Sequence, residues 1–153
     1  MSPQEATIIA AARSWIGTPY RHQASLRGVG CDCLGLIRGV WRMVMGCEPE
    51  HPGAYRPDWA EAGGRERLLA AARRHLIPVD APGPGRVLIF RWRDGLPAKH
   101  CAIATDTARM IHAHDGACVA EVALTGWWRR HLAASFAFPP PAPLVLCEED
   151  IHR

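Results

Sequence analysis

The chain has no long apolar run, so nothing in its 153 residues reads as a membrane-spanning helix. It also lacks a charge excess of either sign. Eighteen Lys and Arg stand against fifteen Asp and Glu, a net charge of +3. That permits weak attraction to an anionic surface but is not the basic footprint of a nucleic-acid-binding domain. Met1-Ser2-Pro3-Gln4-Glu5 carries no basic stretch followed by an apolar one. No signal peptide is read there, and synthesis in the cytoplasm is the expectation. Internal repeats are absent. So is the C-x-x-C spacing of redox and zinc motifs, since Cys31 and Cys33 form a C-x-C. A metal site from Cys31, Cys33, His100 and Cys101 is conceivable but lacks the paired spacing. The six cysteines also do not read as a disulfide framework, because the chain is longer than such scaffolds and shows no secretion signal.

What is present fits one globular domain. Apolar residues make up 48% and charged residues 22%, in a chain long enough to bury a core. Ser2-Pro3-Gln4-Glu5 has the form of a capped helix start, and Ile8, Ile9, Ala12 and Trp15 mark its buried face. Gly17-Thr18-Pro19 ends it, and residues 20–32 read as a loop. From Cys33, the apolar residues Leu36, Ile37, Val40, Trp41 and Val44 recur at steps of three and four, a second helix that stops at Gly46. Residues 47–60 read as an ordered surface loop. Gly64 to Leu76 is a third helix with Leu68, Leu69, Ala72 and Leu76 inward and Arg65, Arg67, Arg73 and Arg74 outward. Pro78 to Gly85 breaks the pattern, and the period then changes to strands: Val87–Trp92, His100–Thr105, Arg109–His114 and Cys118–Leu124. Thr125 can cap a helical turn bearing Trp127 and Trp128, and Ser135–Phe138 is a last strand. Helices followed by antiparallel strands predict an α+β domain over residues 1–138. Residues 139–153 open with prolines and end in an acidic run, the pattern of an extended tail that orders against a partner.

Cys33 carries the chemistry. It stands in the first turn of a helix, where free backbone N–H groups and the helix dipole favour a thiolate, the nucleophilic form. Taken alone it also reads as a small buried hydrophobe. The histidines downstream decide between the two. A cysteine nucleophile needs a base to take its proton and a third group to orient that base. His100 opens the second strand and His112 lies in the third, where neighbouring strands bring side chains together on one face. His100 is then the base and His112 the orienter, with His114, two residues on, as the competing orienter. Cys101 alternates to the opposite face and reads as core. Asp32 reads as a helix cap. Tyr20 alone reads as a packed loop aromatic, and Trp127 and Trp128 as sugar-binding or core residues. His22, His51, His75 and His131 have no partner pattern.

These segments, Thr18-Pro19-Tyr20, Asp32-Cys33-Leu34-Gly35, His100-Cys101-Ala102-Ile103 and Ile111-His112-Ala113, taken in that order, resemble the NlpC family of papain-like cell-wall cysteine peptidases. The resemblance extends from about Trp15 to Phe138. Phe90-Arg91-Trp92, Ala98-Lys99-His100, Glu121-Val122-Ala123-Leu124 and Trp127-Trp128-Arg129-Arg130 are similar to the branch carried by prophages and gene-transfer-agent particles. Leu34 departs from the serine that most members carry, and Tyr20 stands one residue further from Cys33 than in many relatives.

The resemblance implies a papain-like domain with helices packed on an antiparallel sheet. It implies Cys33 as nucleophile, His100 as base, His112 as orienter, Tyr20 at the oxyanion with the backbone N–H of Cys33, and Asp32 at the free amine of a stem peptide. The reaction implied is hydrolysis of peptidoglycan stem peptides at the bond between D-glutamate and the following diamino acid, with no cofactor and no metal. The expected setting is a phage-tail-like particle with tail or baseplate proteins as partners, acting at the wall of a target cell during DNA delivery. An acyltransferase or amidase on the same triad, and a catalytically silent structural tail protein, are the alternatives.

Overall fold

The computed structural model describes residues 1–53 and 65–141. Among the described residues, four helices and eight strands make an α+β fold: α1 (Pro3–Arg13), β1 (Ser25–Leu26), β2 (Gly30–Cys31), α2 (Cys33–Met45), α3 (Arg67–His75), β3 (Ile77–Val79), β4 (Val87–Phe90), β5 (His100–Ala104), β6 (Arg109–His112), β7 (Ala120–Ala123), α4 (Gly126–His131) and β8 (Leu132–Ala137). The six-stranded sheet runs β3-β8-β4-β5-β6-β7, antiparallel throughout, and β1 and β2 form a small ribbon of their own.

The first helix starts where its residues dictate. The Ser2 hydroxyl accepts the Glu5 N–H, the Glu5 carboxylate accepts the Ser2 N–H, and Pro3 sits where no helical hydrogen bond is required. α2 is capped by Asp32 and closes at Gly46, whose φ of +94° suits glycine. Ile8, Ala12 and Trp15 of the first segment, Leu36 and Val40 of α2, and Leu68, Leu69 and Ala72 of α3 bury against Val87, Ile89, Cys101, Ile103 and Ile111 on one sheet face. α1 and α2 meet closely because Gly39 has no side chain: a Cβ there would stand 2.0 Å from the Trp15 ring. A smaller core on the opposite face holds Leu88, Phe90, Ala102, Ala104, Met110 and Leu124, covered by Trp128 and Leu132. β4 and β5 are therefore buried on both faces, and apart from His100 every residue in them is apolar.

Several boundaries differ from those the sequence suggests. The 20–32 segment holds the β1–β2 ribbon, and an isolated bridge of Pro19 to Cys118 ties it to the start of the fourth expected strand. Ile77–Val79 is an edge strand, a position that tolerates Pro78. The third strand ends at His112, leaving His114 beyond the ladder, and the first ends at Phe90, leaving Trp92 outside it. Thr125 precedes α4 but makes no side-chain cap, and β8 starts earlier than expected, at Leu132. α3 spans Arg67–His75, with Leu68, Leu69 and Ala72 inward and the arginines exposed as their spacing indicates. Cys31, Cys33, Cys101 and Cys118 are free thiols, whereas Cys47 is disulfide-bonded, a bond not anticipated when the six cysteines are read as no disulfide framework. The chain leaves β8 with Phe138 stacked on Trp41 and the Pro139 carbonyl accepting from Gln4 at 2.6 Å. Residues 54–60 of the expected surface loop, and residues 142–153 of the expected tail, lie outside the described residues. No described helix is long and apolar enough to cross a membrane.

Candidate active site

Cys33 is the first residue of α2, and its N–H has no intrahelical partner. Asp32, only 4% exposed, holds this helix start to the loop before it. Its Oδ1 accepts the Gly35 N–H at 2.7 Å and its Oδ2 accepts the Gln23 N–H at 2.7 Å. The second bond holds Gln23 in a left-handed conformation, φ +70°, that a non-glycine residue seldom adopts. Both readings of Asp32 therefore start from a cap that is present, with His22 Nδ1 3.9 Å from Oδ2. Gly35 explains the glycine two residues after the cysteine. A Cβ there would lie 1.9 Å from the Ala24 carbonyl oxygen, so only glycine lets the loop close onto the helix. Ser25 fastens the contact by donating to the Gly35 carbonyl at 2.6 Å, and Arg42 donates to the Ser25 carbonyl at 2.7 Å.

The Cys33 sulfur faces the start of β5, 3.8 Å from the Lys99 carbonyl oxygen. Its pKa is held well below the ordinary thiol value. The largest cause is hydrogen bonding from the Cys101 thiol, followed by hydrogen bonding and positive charge from His100, which together outweigh burial. Cys101 is pushed the opposite way, first by its interaction with Cys33 and then by its burial. Cys31 is also an inert thiol: burial, then the charges of Asp32 and Cys33, push it up to about 12. Of the three cysteines near the helix start, Cys33 is the one poised as thiolate.

His100 and His112 come together as their strand positions suggest. His100 Nε2 and His112 Nδ1 are 2.9 Å apart, and both residues are buried. With Nε2 engaged, Nδ1 is the ring nitrogen that His100 has left for Cys33. His112 is kept neutral, its pKa pushed down to about 3 by burial first and then by the charges of His100 and His114. A neutral His112 that accepts at Nδ1 carries its own proton on Nε2, which fixes the tautomer of an orienter. His114 is exposed. Its ring lies 5.6 Å from that of His112 and 5.9 Å from that of His100, so the bond to His100 belongs to His112.

Trp92 and Trp128 stack on His100 at 5.3 and 5.5 Å. Trp128 is thus a wall of the site, while Trp127 is 43% exposed and stacked on His131 at 3.9 Å. Tyr20 is half-buried and packs with Cys33 against the main core. Its phenol is pushed up by burial first and then by the Cys33 and Asp32 charges, so it remains a proton donor. Cys101 is the residue that sequence reasoning missed. It is core, as its alternation indicates, but the same alternation turns it toward the face bearing α2 and so beneath Cys33. Its place immediately after the strand-opening histidine is the signal that could have revealed it.

Residues 17–136 match the model of the NlpC/P60 family. Among solved structures, the NlpC/p60 domain of the peptidoglycan hydrolase SagA aligns with a TM-score of 0.59 and 24% identity, over 88% of this chain and 98% of that one. An NlpC/P60 family protein from Bacillus cereus aligns with a TM-score of 0.64 and 19% identity, over 92% of this chain. A Staphylococcus aureus protein similar to a lipoprotein of the NLP/P60 family aligns with a TM-score of 0.60 and 19% identity, over 90% of this chain. The chain spans 42% of the length of each of these last two proteins. At these identities the likeness is one of fold. No curated protein sequence matches significantly.

Proposed function

The chain belongs to the NlpC/P60 family, and on that premise we propose that it is a cysteine peptidase that hydrolyses the stem peptides of peptidoglycan. The observation that carries the reading is the His100–His112 bond of 2.9 Å beside a cysteine held as thiolate at a helix start. Membership in the family of a peptidoglycan hydrolase supports the substrate.

The Cys33 thiolate attacks the scissile carbonyl carbon, and the oxyanion is met by the Cys33 N–H and the protonated Tyr20 hydroxyl. His100 passes the proton on Nδ1 to the leaving amine as the C–N bond breaks, which leaves a thioester on Cys33. Water then loses a proton to His100 Nδ1 and attacks the thioester, releasing a carboxylate and restoring the thiolate–imidazolium pair. Neutral His112 accepts from His100 Nε2–H throughout, so the imidazolium has a partner and the ring keeps its orientation. Asp32 retains lone pairs after its two backbone bonds and is the group assigned to the free amine of the stem peptide. The bond assigned is that between D-glutamate and the diamino acid. The setting assigned is a phage-tail-like particle. Its support is the likeness of Phe90-Arg91-Trp92, Ala98-Lys99-His100 and the 121–130 segment to that branch, with residues 139–153 assigned to attachment.

The test is incubation with purified muropeptides followed by mass spectrometry. The parent protein is expected to release fragments cut after D-glutamate, and Cys33→Ser none. His100→Ala is expected to lose roughly 10²–10⁴-fold, and His112→Asn or His112→Gln to retain part of the activity. An active Cys33→Ser beside an inactive Cys31→Ser would move the nucleophile. Products joined to an added amine in place of water would move the reading to acyl transfer.

A further inference from the structure

Among the described residues, one group of three or more metal-ligating side chains converges: His100, His112 and His114, each offering a ring nitrogen within 4.8 Å of the others. The peptidase mechanism uses two of them. It gives no task to His114, whose exposed ring nevertheless stacks over His112 at an interplanar angle of 25°. Tetrahedral zinc holds imidazole nitrogens at 2.0–2.1 Å, which sets its ligand nitrogens about 3.3 Å apart. The His100–His112 pair, at 2.9 Å, needs to open by only a few tenths of an ångström to admit an ion. His114 lies beyond the last hydrogen-bonded residue of β6, so its side chain is free of the ladder and can close the remaining gap.

The surroundings favour such an ion over a loose histidine cluster. Trp128 touches all three imidazoles, at 5.5, 5.2 and 6.4 Å between ring centroids, and Trp92 touches His100 and His114. These rings limit how the histidines can turn and keep one side of the cluster dry, the kind of apolar shell that tightens a metal site. The exposed His114 leaves the other side open to water and so to entry of the ion. Three imidazoles with no carboxylate in the cluster suit zinc and copper rather than magnesium or calcium.

We propose that His100, His112 and His114 form a three-imidazole site for a zinc-type divalent ion, and that occupancy of this site switches the peptidase off. The binding half stands on the three histidines alone, while the inhibitory half rests on the peptidase reading above. Coordination at His100 Nε2 and His112 Nδ1 replaces the hydrogen bond between them, and the proton they shared leaves to solvent or moves to a ring nitrogen facing away from the ion. His100 is then pinned to a cation and loses basicity at Nδ1, the nitrogen that serves Cys33. The fourth metal position remains for water.

Two readouts on metal-free full-length protein separate the halves. Calorimetric titration with zinc, and visible absorption with cobalt as its coloured substitute, are expected to show one ion per chain with tetrahedral nitrogen ligation. Cys33→Ser is expected to bind that ion as well, so this readout survives even if no substrate is ever cleaved. His114→Ala is expected to keep its muropeptide hydrolysis in chelator and to need at least tenfold more zinc for half-inhibition, with the same loss in direct binding. Zinc that binds the parent and His114→Ala equally, or that fails to bind Cys33→Ser, would place the ion on the nucleophile instead and overturn the three-histidine site. Binding at the histidines with undiminished hydrolysis would overturn the switch alone.

Discussion

Replacing Cys101 with alanine should move the nucleophile's titration without touching the nucleophile. Cys101 is 1% exposed, lies under Cys33, and is the largest cause of the depressed Cys33 pKa. A hydrogen bond to a charged group is worth about 1.5–3 kcal/mol, and 1.36 kcal/mol corresponds to one pKa unit. A thiol is a weak donor, so the lower end, about 1.5 kcal/mol, applies, and the Cys33 pKa should rise in Cys101→Ala. The sign follows from which form is favoured. The fold stabilises the thiolate, so this contribution is complete above the unfolded thiol pKa of about 8.5 and is lost as pH falls through the folded value. Without Cys101 the lower edge of that window moves up, and the acid limb of kcat/KM should move with it. Cys101→Ser keeps a donor at the same position and should restore most of the shift. The assay is the pH dependence of iodoacetamide alkylation at Cys33, with the pH profile of muropeptide hydrolysis beside it. An alkylation midpoint in Cys101→Ala that coincides with the parent's would refute the argument. It would leave His100 as the group that sustains the thiolate.

Acid should weaken the fold through His112. Its folded pKa of about 3 lies below the unfolded value near 6.5, so between those limits the unfolded chain takes up the proton first and stability falls as pH falls. This adds a slope of about 1.4 kcal/mol per pH unit, which urea unfolding at pH 6, 5 and 4 should show in the parent and not in His112→Asn. Equal slopes in the two proteins would count against a neutral buried His112. Gly35→Ala should destabilise by at least about 1–3 kcal/mol, the usual cost of overpacking. The added Cβ meets a backbone carbonyl at 1.9 Å, and the loop carrying Gln23 and Ser25 must lift from α2. Thermal unfolding and hydrolysis should fall together, and an unchanged midpoint would mean that the loop is free to move aside.

Much of the helical half of this protein was legible because its signals are local. Ser2, Pro3 and Glu5 form their capping box within four residues, and Gly46 ends α2 by its own backbone freedom. The α2 stripe from Leu36 to Val44 needs only the helical period. The strand boundaries were less legible. Trp92 and His114 look like strand residues by their neighbours, yet the hydrogen-bonded ladder stops at Phe90 and His112. Where a strand ends depends on how far its partner continues, and that is not written in either segment. The β1–β2 ribbon was missed for a similar reason. Its two-residue strands are too short to show a period, and they form because the loop is drawn down onto Asp32 and Gly35.

The sequence by itself determined the fold class, the place of Cys33 at a helix start, and the presence of His100 and His112 on neighbouring strands. Helix period, cap chemistry and strand alternation are properties of contiguous residues, and each can be read without knowing what lies across the core. Only the tertiary structure decided that His112 rather than His114 meets His100. Only it decided that Cys101 sits beneath the nucleophile and that Trp92 and Trp128 close around the base. Those are contacts between segments far apart in the chain, and their outcome depends on register and packing to within an ångström. A shift of two residues in the β5–β6 pairing would keep every local signal and hand His100 a different partner.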